Sequence, residues 1–308
     1  MAMLGSGPLH IYVPRSYRRG QPGIRAFYDR LFAALDTAGY AHVAHRGRKA
    51  PLVHLPRRCY LTYHTHSARP RSGVLHLKLD YVTSYFTLDA TGYSGWSSLI
   101  DRSLTPDLAR GEDVLAEYRK VGTKIATPEG SAMEADRRIV VMGQVFNDTV
   151  AVFHRPWEDV FEQAQSLGRA MGCAVSFRPH PKDHGKLEQV ARRFTGIERF
   201  EGSLQECLSK HVLCVQNSGV GYEGLLSGAP VIAFGRSDYA FAALDGMQEV
   251  CALARGVADW DATAALAAVG GMQDNRICSN WSDQRFLGAF KTIFARRFET
   301  ETGADIGS

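Results

Sequence analysis

No apolar run in this chain approaches the roughly 18 residues that a membrane-spanning helix needs, so nothing in it reads as a transmembrane segment. Met1 to Pro14 has no charged stretch leading into an apolar one and no cleavage-like site, and a cytoplasmic location is expected. The six cysteines, Cys59, Cys173, Cys207, Cys214, Cys251 and Cys278, include no CxxC pair and no zinc spacing, which argues against a disulfide scaffold and for free thiols in a reducing compartment. An excess of one charge is also missing, because the net charge is only +4. Basic clusters such as Arg15, Arg18 and Arg19, or Arg46, Arg48 and Lys49, form no stripe with interleaved aromatics, so no nucleic-acid partner is expected. There is no repeat of fixed period and no low-complexity segment.

What is present fits a soluble globular protein of two domains: 308 residues, 45% hydrophobic and 22% charged. In the first half, Leu9 to Val13 reads as a strand and Pro22 to Thr37 as a helix ended by Gly39. Strand-like pieces follow at Tyr40 to Ala44, Leu52 to Leu55, Cys59 to Tyr63 and Val74 to Leu79. Asp107 to Glu134 is polar and mostly helical, with Gly111, Gly122 and Gly130 as breaks, and is expected to be the crossing between domains. The second half alternates strand and helix at the spacing of a parallel sheet: Ile139 to Val145, a helix from Pro156 to Met171, Cys173 to Phe177, then Val212 to Val215 and Val231 to Phe234. Ser203 and Glu206 have capping-box spacing in front of another short helix. Near the end, Phe286, Leu287, Phe290, Ile293, Phe294 and Phe298 form a helical stripe too apolar to stay solvated.

In an open parallel sheet the loops at the carboxyl ends of the strands carry ligands. Three polar sets occupy such loops here: Gln144, Asn147 and Asp148; Arg178 to Pro181 followed by Lys182, Asp183 and His184; and the turn Gln216 to Gly219. A helix starting near Gly219 offers unpaired amides and a partial positive charge, so Ser218 and the backbone after it suit a phosphate, and Glu223 one turn on suits ribose hydroxyls. The plain alternative is that Asn217 and Ser218 only cap that helix and Glu223 faces water. Asp148 is the candidate catalytic carboxylate, as base or nucleophile, with a turn or N-cap aspartate as the plain alternative. His180, stiffened between Pro179 and Pro181, could donate to a phosphate or protonate a leaving group, which makes it a second catalytic candidate, and Arg178 offers a forked donor. His64 and His66 alternate on an expected strand, but no third ligand accompanies them and no metal is expected. Asp89, Tyr93 and Trp96, in FTLDATGYSGW, are candidate acceptor or sugar contacts, since aromatic faces stack on sugar rings. A plain turn around a buried tryptophan fits the same composition.

QVFND (Gln144–Asp148), RPHP (Arg178–Pro181) and NSGVGYEGLLSGAPVIAFG (Asn217–Gly235) together resemble the capsule polysaccharide biosynthesis proteins, bacterial transferases that add β-linked Kdo from CMP-Kdo. The resemblance is good over Ile139 to Tyr239. It implies an α/β chain of the GT-B class, two Rossmann-like domains facing a cleft with the C-terminal helix crossing back. The corresponding boundaries are 1–130 for an acceptor-side domain, 131–275 for the nucleotide-sugar domain and 276–308 for the returning helix. It further implies that His180 and Ser218 meet the nucleotide phosphate, with Gln144, Arg178, Asn217 and Gly219 around it, that Glu223 meets the ribose, and that Asp148 attacks the anomeric carbon. The nucleotide sugar is then substrate, no cofactor is required, and no metal is expected for it. The partners are a glycan or glycolipid acceptor and a peripheral association with an inner-membrane export complex. A sugar-nucleotide epimerase or hydrolase on the same fold, and a noncatalytic binding subunit of capsule assembly, remain alternatives at this point.

Overall fold

The computed structural model describes residues 7–46, 59–67, 69–70, 73–82, 84–121, 136–146, 148–183 and 185–302, and the chain divides into two compact units. The first comprises residues 1–101 and 273–308 and the second residues 102–272. It opens with β1 (Leu9–Val13), α1 (Arg15–Arg18), α2 (Pro22–Thr37), β2 (His42–Arg46), β3 (Cys59–Tyr63), β4 (Val74–Leu79) and β5 (Tyr85–Asp89). Proline at the start of α2 suits a turn whose amides lack partners, and Gly39 beyond its end takes φ 69°. Ile24, Phe27, Tyr28, Leu31 and Leu35 follow the helical period and bury one face of α2 against the sheet. The expected strand Leu52 to Leu55 lies outside the described residues.

The second unit then runs α3 (Leu108–Val121), β6 (Arg138–Met142), α4 (Trp157–Met171), β7 (Ala174–Arg178), α5 (Lys186–Ala191), β8 (Glu198–Arg199), α6 (Leu204–Lys210), β9 (Val212–Val215), α7 (Gly219–Leu226), β10 (Val231–Ala233), β11 (Leu244–Asp245), α8 (Val250–Ala258) and α9 (Ala262–Gly271). Its six strands are all parallel in the order β11-β10-β9-β6-β7-β8. The first strand of the unit, β6, thus sits centrally. The chain builds outward to β7 and β8, crosses back, and builds outward again from β9. Neighbours β6 and β9 therefore diverge at their carboxyl ends into connections that leave in opposite directions, the point where such sheets open a crevice. Val160, Phe161, Ala164 and Leu167 of α4 pack on Ile139, Val141, Val175 and Cys214 of the strands. Ser203 Oγ accepts from the Glu206 amide at 3.0 Å and caps α6 as its spacing predicts.

Helix α3 corrects the expected boundary at residue 130, because it packs on α9 inside the second unit and the division falls at residue 101. Gly111 is not a break but an interior residue of α3, and a side chain there would run into the Leu266 carbonyl; one at Gly270 would run into that of Asp107. Two helices in backbone contact need glycine on both sides. Gly122 and Gly130 lie outside the described residues.

The chain finally returns to the first unit as β12 (Arg276–Cys278) and α10 (Asp283–Thr302). That unit's sheet has the order β12-β5-β4-β3-β1-β2, parallel from β4 to β2 and antiparallel at β5 and β12. Phe286, Phe290, Ile293 and Phe294 of α10 complete the core with Ile11, Leu77 and Phe86, and Phe27 of α2 stacks on Phe86 at 3.9 Å. Fully burying each such side chain contributes about 1.5–3 kcal/mol. The Arg276 guanidinium, wholly buried, pairs with buried Asp80. Among the described residues, no helix is long and apolar enough to cross a membrane.

Candidate functional site

The crevice between β6 and β9 is assembled by amides. Gln216 is a continuation of β9, and its side chain grips the backbone of Arg155, donating to the carbonyl at 2.8 Å and accepting from the amide at 3.0 Å. Asn217 follows. Its Nδ2 donates to the carbonyls of Val150 (3.0 Å) and Arg236 (3.3 Å), and its Oδ1 accepts from Gln144 Nε2 (2.9 Å) and meets His154 Nε2 at 3.0 Å. Every donor and acceptor site of that buried amide is spent. Gln144 is buried too, with Oε1 turned to the Asn217 amide at 3.4 Å. These two residues therefore hold the loops together, and Asn217 has no side-chain donor or acceptor left over for the nucleotide contact expected of it.

His154 enters the site unannounced by the sequence reading. Because Asn217 Oδ1 can only accept, His154 Nε2 carries the hydrogen and Nδ1 is the unprotonated nitrogen. Burial lowers its pKa, opposed by the Asn217 hydrogen bond and by the Asp148 charge, so the imidazole is neutral at pH 7. Asp148 itself is exposed and caps the 3-10 turn Thr149–Phe153 with one oxygen, Oδ1, which accepts from the Thr149 amide at 2.6 Å. Asp148 is therefore a turn aspartate as the plain alternative has it, with only Oδ1 spent on the cap. One signal in the sequence points to His154. The stretch from β6 to α4 spans residues 143–156, and connections of that length are commonly functional.

Ser218 is the N-cap residue of α7 but does not cap it. Its Oγ is buried and has no hydrogen-bond partner, while its carbonyl accepts from Tyr239 Oη at 2.6 Å. The amides of Gly219 and its neighbours begin the helix beside that hydroxyl. One turn on, Glu223 is half-buried, with Oε2 enclosed and unpartnered, and Tyr118 of α3 lies near enough to the carboxylate to feel its charge. Burial and that carboxylate raise the Tyr118 pKa, so its phenol stays a donor. Tyr118 was invisible in the sequence because α3 read as a crossing between domains.

From the end of β7, His180 Nδ1 accepts from the Lys182 amide at 3.0 Å, which leaves Nε2–H to donate outward. A side chain at Gly143 would come within 2.7 Å of the His180 amide nitrogen, so the β6 and β7 loops abut. Arg178 and His180 border a cleft of about 460 Å³ that continues to Arg199 and Glu201. Arg178 Nε is buried there without a partner. Cys207 and Cys214 are pushed up to about 12 by burial, and these thiols are inert. Asn147 and His184 lie outside the described residues.

These residues fall in one matched segment. Residues 114–262 match the family of capsule polysaccharide biosynthesis proteins. The capsule-family segment lies wholly within the second unit and takes in Tyr118, Asp148, His154, His180, Ser218 and Glu223, so the resemblance read from the three motifs is borne out. A solved structure of Thermosulfurimonas dismutans KpsC, a beta Kdo 2,7 transferase, is similar at 16% identity over 92% of this chain and 98% of its own, with a TM-score of 0.53. Another, the KpsC beta Kdo 2,4 transferase of the same organism, has 15% identity over 85% and 89%, at 0.49. AviGT4, a glycosyltransferase involved in avilamycin A biosynthesis, has 15% identity over 91% and 79%, at 0.43. The first of these likenesses establishes the fold, an α/β chain of the GT-B class. No curated protein sequence matches the chain.

Outside the capsule-family segment, the other site expectations change. Asp89 is 1% exposed and accepts from the amides of Thr91, Gly92 and Ser98, from the hydroxyls of Thr91, Ser97 and Ser98, and from Asn275 Nδ2. It organises its loop and is closed to any ligand. Tyr93 is buried beneath its neighbours, and Trp96 is partly exposed. The expected alternation of His64 and His66 on a strand fails because β3 ends at Tyr63 and His64 takes φ 54°. No group of three metal-ligating side chains occurs among the described residues.

Proposed function

We infer that this protein is a glycosyltransferase of capsule polysaccharide biosynthesis that takes a nucleotide sugar, with CMP-Kdo the favoured donor, and passes the sugar to a glycan or glycolipid acceptor. The observation that carries this reading is the unpartnered Ser218 hydroxyl beside the amides that open α7, at the strand-order reversal of a parallel sheet. A buried hydroxyl without a partner is costly unless a ligand supplies one. Phosphate is the group that also uses the helix amides and His180 Nε2–H. Glu223 and Tyr118, one turn deeper, offer an acceptor and a donor to the ribose hydroxyls, and Arg178 adds charge on the His180 side. In the double displacement that this reading implies, a carboxylate oxygen of Asp148 bonds to the anomeric carbon while the bond to CMP breaks and its electron pair leaves on the phosphate. The acceptor hydroxyl then displaces Asp148, and the neutral Nδ1 of His154 is suited to take its proton.

The test is a thermal-shift series with CMP, UDP, GDP and their sugar conjugates, since a ligand that binds only the folded chain raises its melting temperature. CMP and CMP-Kdo are expected to stabilise it, and Ser218→Ala to weaken CMP about tenfold or more, the loss of one hydrogen bond to a charged group. Stabilisation by UDP or GDP alone would overturn the donor, and unchanged CMP affinity in Ser218→Ala would overturn the phosphate site.

A further inference from the structure

We propose that Tyr239 is the positioning residue of the phosphate site: it holds the Ser218 carbonyl so that the amides opening α7 face the donor's phosphate. The proposal rests on the phosphate reading of Ser218 and names the residue that gives that site its aim. Tyr239 Oη donates to the Ser218 carbonyl at 2.6 Å. A trans peptide is planar, with its N–H directed opposite to its C=O. The group that fixes the Ser218 oxygen therefore also fixes the direction of the Gly219 N–H, across the same peptide plane. The Gly221 amide turns back to that carbonyl at 3.0 Å, which leaves those of Gly219 and Val220 as the open donors of the first turn. Ser218 Oγ, on the residue that carries the carbonyl, is the buried hydroxyl without a partner. A carbonyl that accepts from two donors also polarises its peptide, and the N–H at the other end becomes a stronger donor.

Helix α7 and Tyr239 are fitted to one another. Tyr239 is wholly buried, and a side chain at Gly221 would meet its hydroxyl at 2.5 Å and its ring at 2.9 Å. Glycine inside a short helix weakens it, and here it makes room for the phenol. The Tyr222 ring stands edge-on to that of Tyr239 at 6.2 Å and 62°. The loop that delivers Tyr239 leaves β10 and is tied to the turn it braces. In it, the Gly235 amide donates to the Gln216 carbonyl at 3.1 Å, and the Arg236 carbonyl accepts from Asn217 Nδ2 at 3.3 Å. Both ends of the Tyr239–Ser218 contact are thus parts of one frame. Burial, with the Asp238 charge beside it, pushes the Tyr239 pKa well above the usual tyrosine value, so the hydroxyl stays a donor at every working pH. A phenylalanine would fill the same space. What the hydroxyl adds is direction.

The experiment is a calorimetric titration of the full chain with CMP and with cytidine, in wild type, Tyr239→Phe and Ser218→Ala, with melting temperatures recorded alongside. Cytidine is the same nucleoside without the phosphate. Tyr239→Phe is expected to weaken CMP about fivefold, the worth of one hydrogen bond, and to leave cytidine within about twofold of wild type. A merely structural role would lower both alike. Gly221→Ala crowds the same hydroxyl from the helix side and should reproduce the selective loss, which keeps the test open if Tyr239→Phe folds poorly. In amide NMR spectra of the wild type, the Gly219 signal should move on adding CMP and hold still on adding cytidine. If Tyr239→Phe binds CMP within about twofold of wild type while Ser218→Ala loses about tenfold, the brace is overturned and the phosphate site stands. Equal losses for CMP and cytidine would assign Tyr239 to packing and overturn the brace as well. Cytidine binding wild type as tightly as CMP would end the phosphate site itself, and the task given to Tyr239 with it.

Discussion

Each of the two units presents an aspartate where a strand gives way to a loop, and the molecule treats them in opposite ways. Asp89 ends β5 and is enclosed by donors from its own loop and from Asn275, with both oxygens occupied. Asp148 follows β6 and spends one oxygen on a single amide, keeping the other in water beside His154. A carboxylate so fully satisfied has no capacity left for a substrate and serves to fix the chain around it. One half satisfied keeps an oxygen for a substrate, which the catalytic role we propose for Asp148 requires. What separates the two is the local supply of amides and hydroxyls: ATGYSGWSS surrounds Asp89 with serine, threonine and tight turns, whereas TVAVF follows Asp148 with apolar side chains.

The contrast can be broken by exchanging what each loses. Asp148→Asn is expected to lower turnover about 10²- to 10⁴-fold, the usual share of a positioned acid–base group, while melting temperature and CMP affinity stay as in wild type. Steady-state kinetics alongside a thermal melt would show it, and a variant that turned over normally would demote Asp148 to a turn cap. Asp89→Ala should do the reverse, costing about 3–5 kcal/mol of stability because buried donors lose their shared acceptor. Hydrogen exchange should then report early opening of β5 and the 89–98 loop. If that variant melts like wild type, the comparison collapses from the other side.

The smallest effect is electrostatic. Removing the Asp148 charge takes away a contribution that raises the His154 pKa, so in Asp148→Asn the imidazole should titrate at still lower pH by NMR, whereas Asp89→Ala should not move it. Because burial holds the folded-state pKa of His154 below 6.5, the neutral ring stabilises the fold fully above pH 6.5. That contribution is lost as pH falls through the lowered value. His211, lowered by burial in the same way, adds to the acid side of the curve. His154→Gln should therefore flatten part of the melting-temperature decline between neutral and mildly acid pH.

Local chemistry was readable in the chain, and long-range pairing was not. The Ser203–Glu206 cap, proline at the head of α2 and Gly172 beyond α4 depend on residues within a turn of one another. The parallel sheet of the second unit followed from strand–helix alternation, and its carboxyl edge from that. Two-residue strands such as β8 and β11 carry no period to read. Gln144 and Asn217 could be read as residues at neighbouring strand ends, but that they bond each other across 73 positions of sequence is a property of the assembled sheet. That α3 brings Tyr118 near Glu223 is likewise a property of the assembled unit. Gly111 shows the error in its sharpest form, since a glycine that breaks a helix and one that lets a helix touch its neighbour look identical in a sequence.

Residues 102–272 form one uninterrupted stretch, while the other unit is divided between the start of the chain and its last segment. On the ribosome, then, the later-made unit is the first that can be finished. The opening strands emerge with Phe27, Phe86 and Asp80 still waiting for Phe286 and Arg276. For as long as the ribosome is translating the middle of the message, this half must remain a partial sheet, open at the edge of β5. Its exposure to chaperones and proteases during synthesis is thus set by where in the gene Arg276 is encoded.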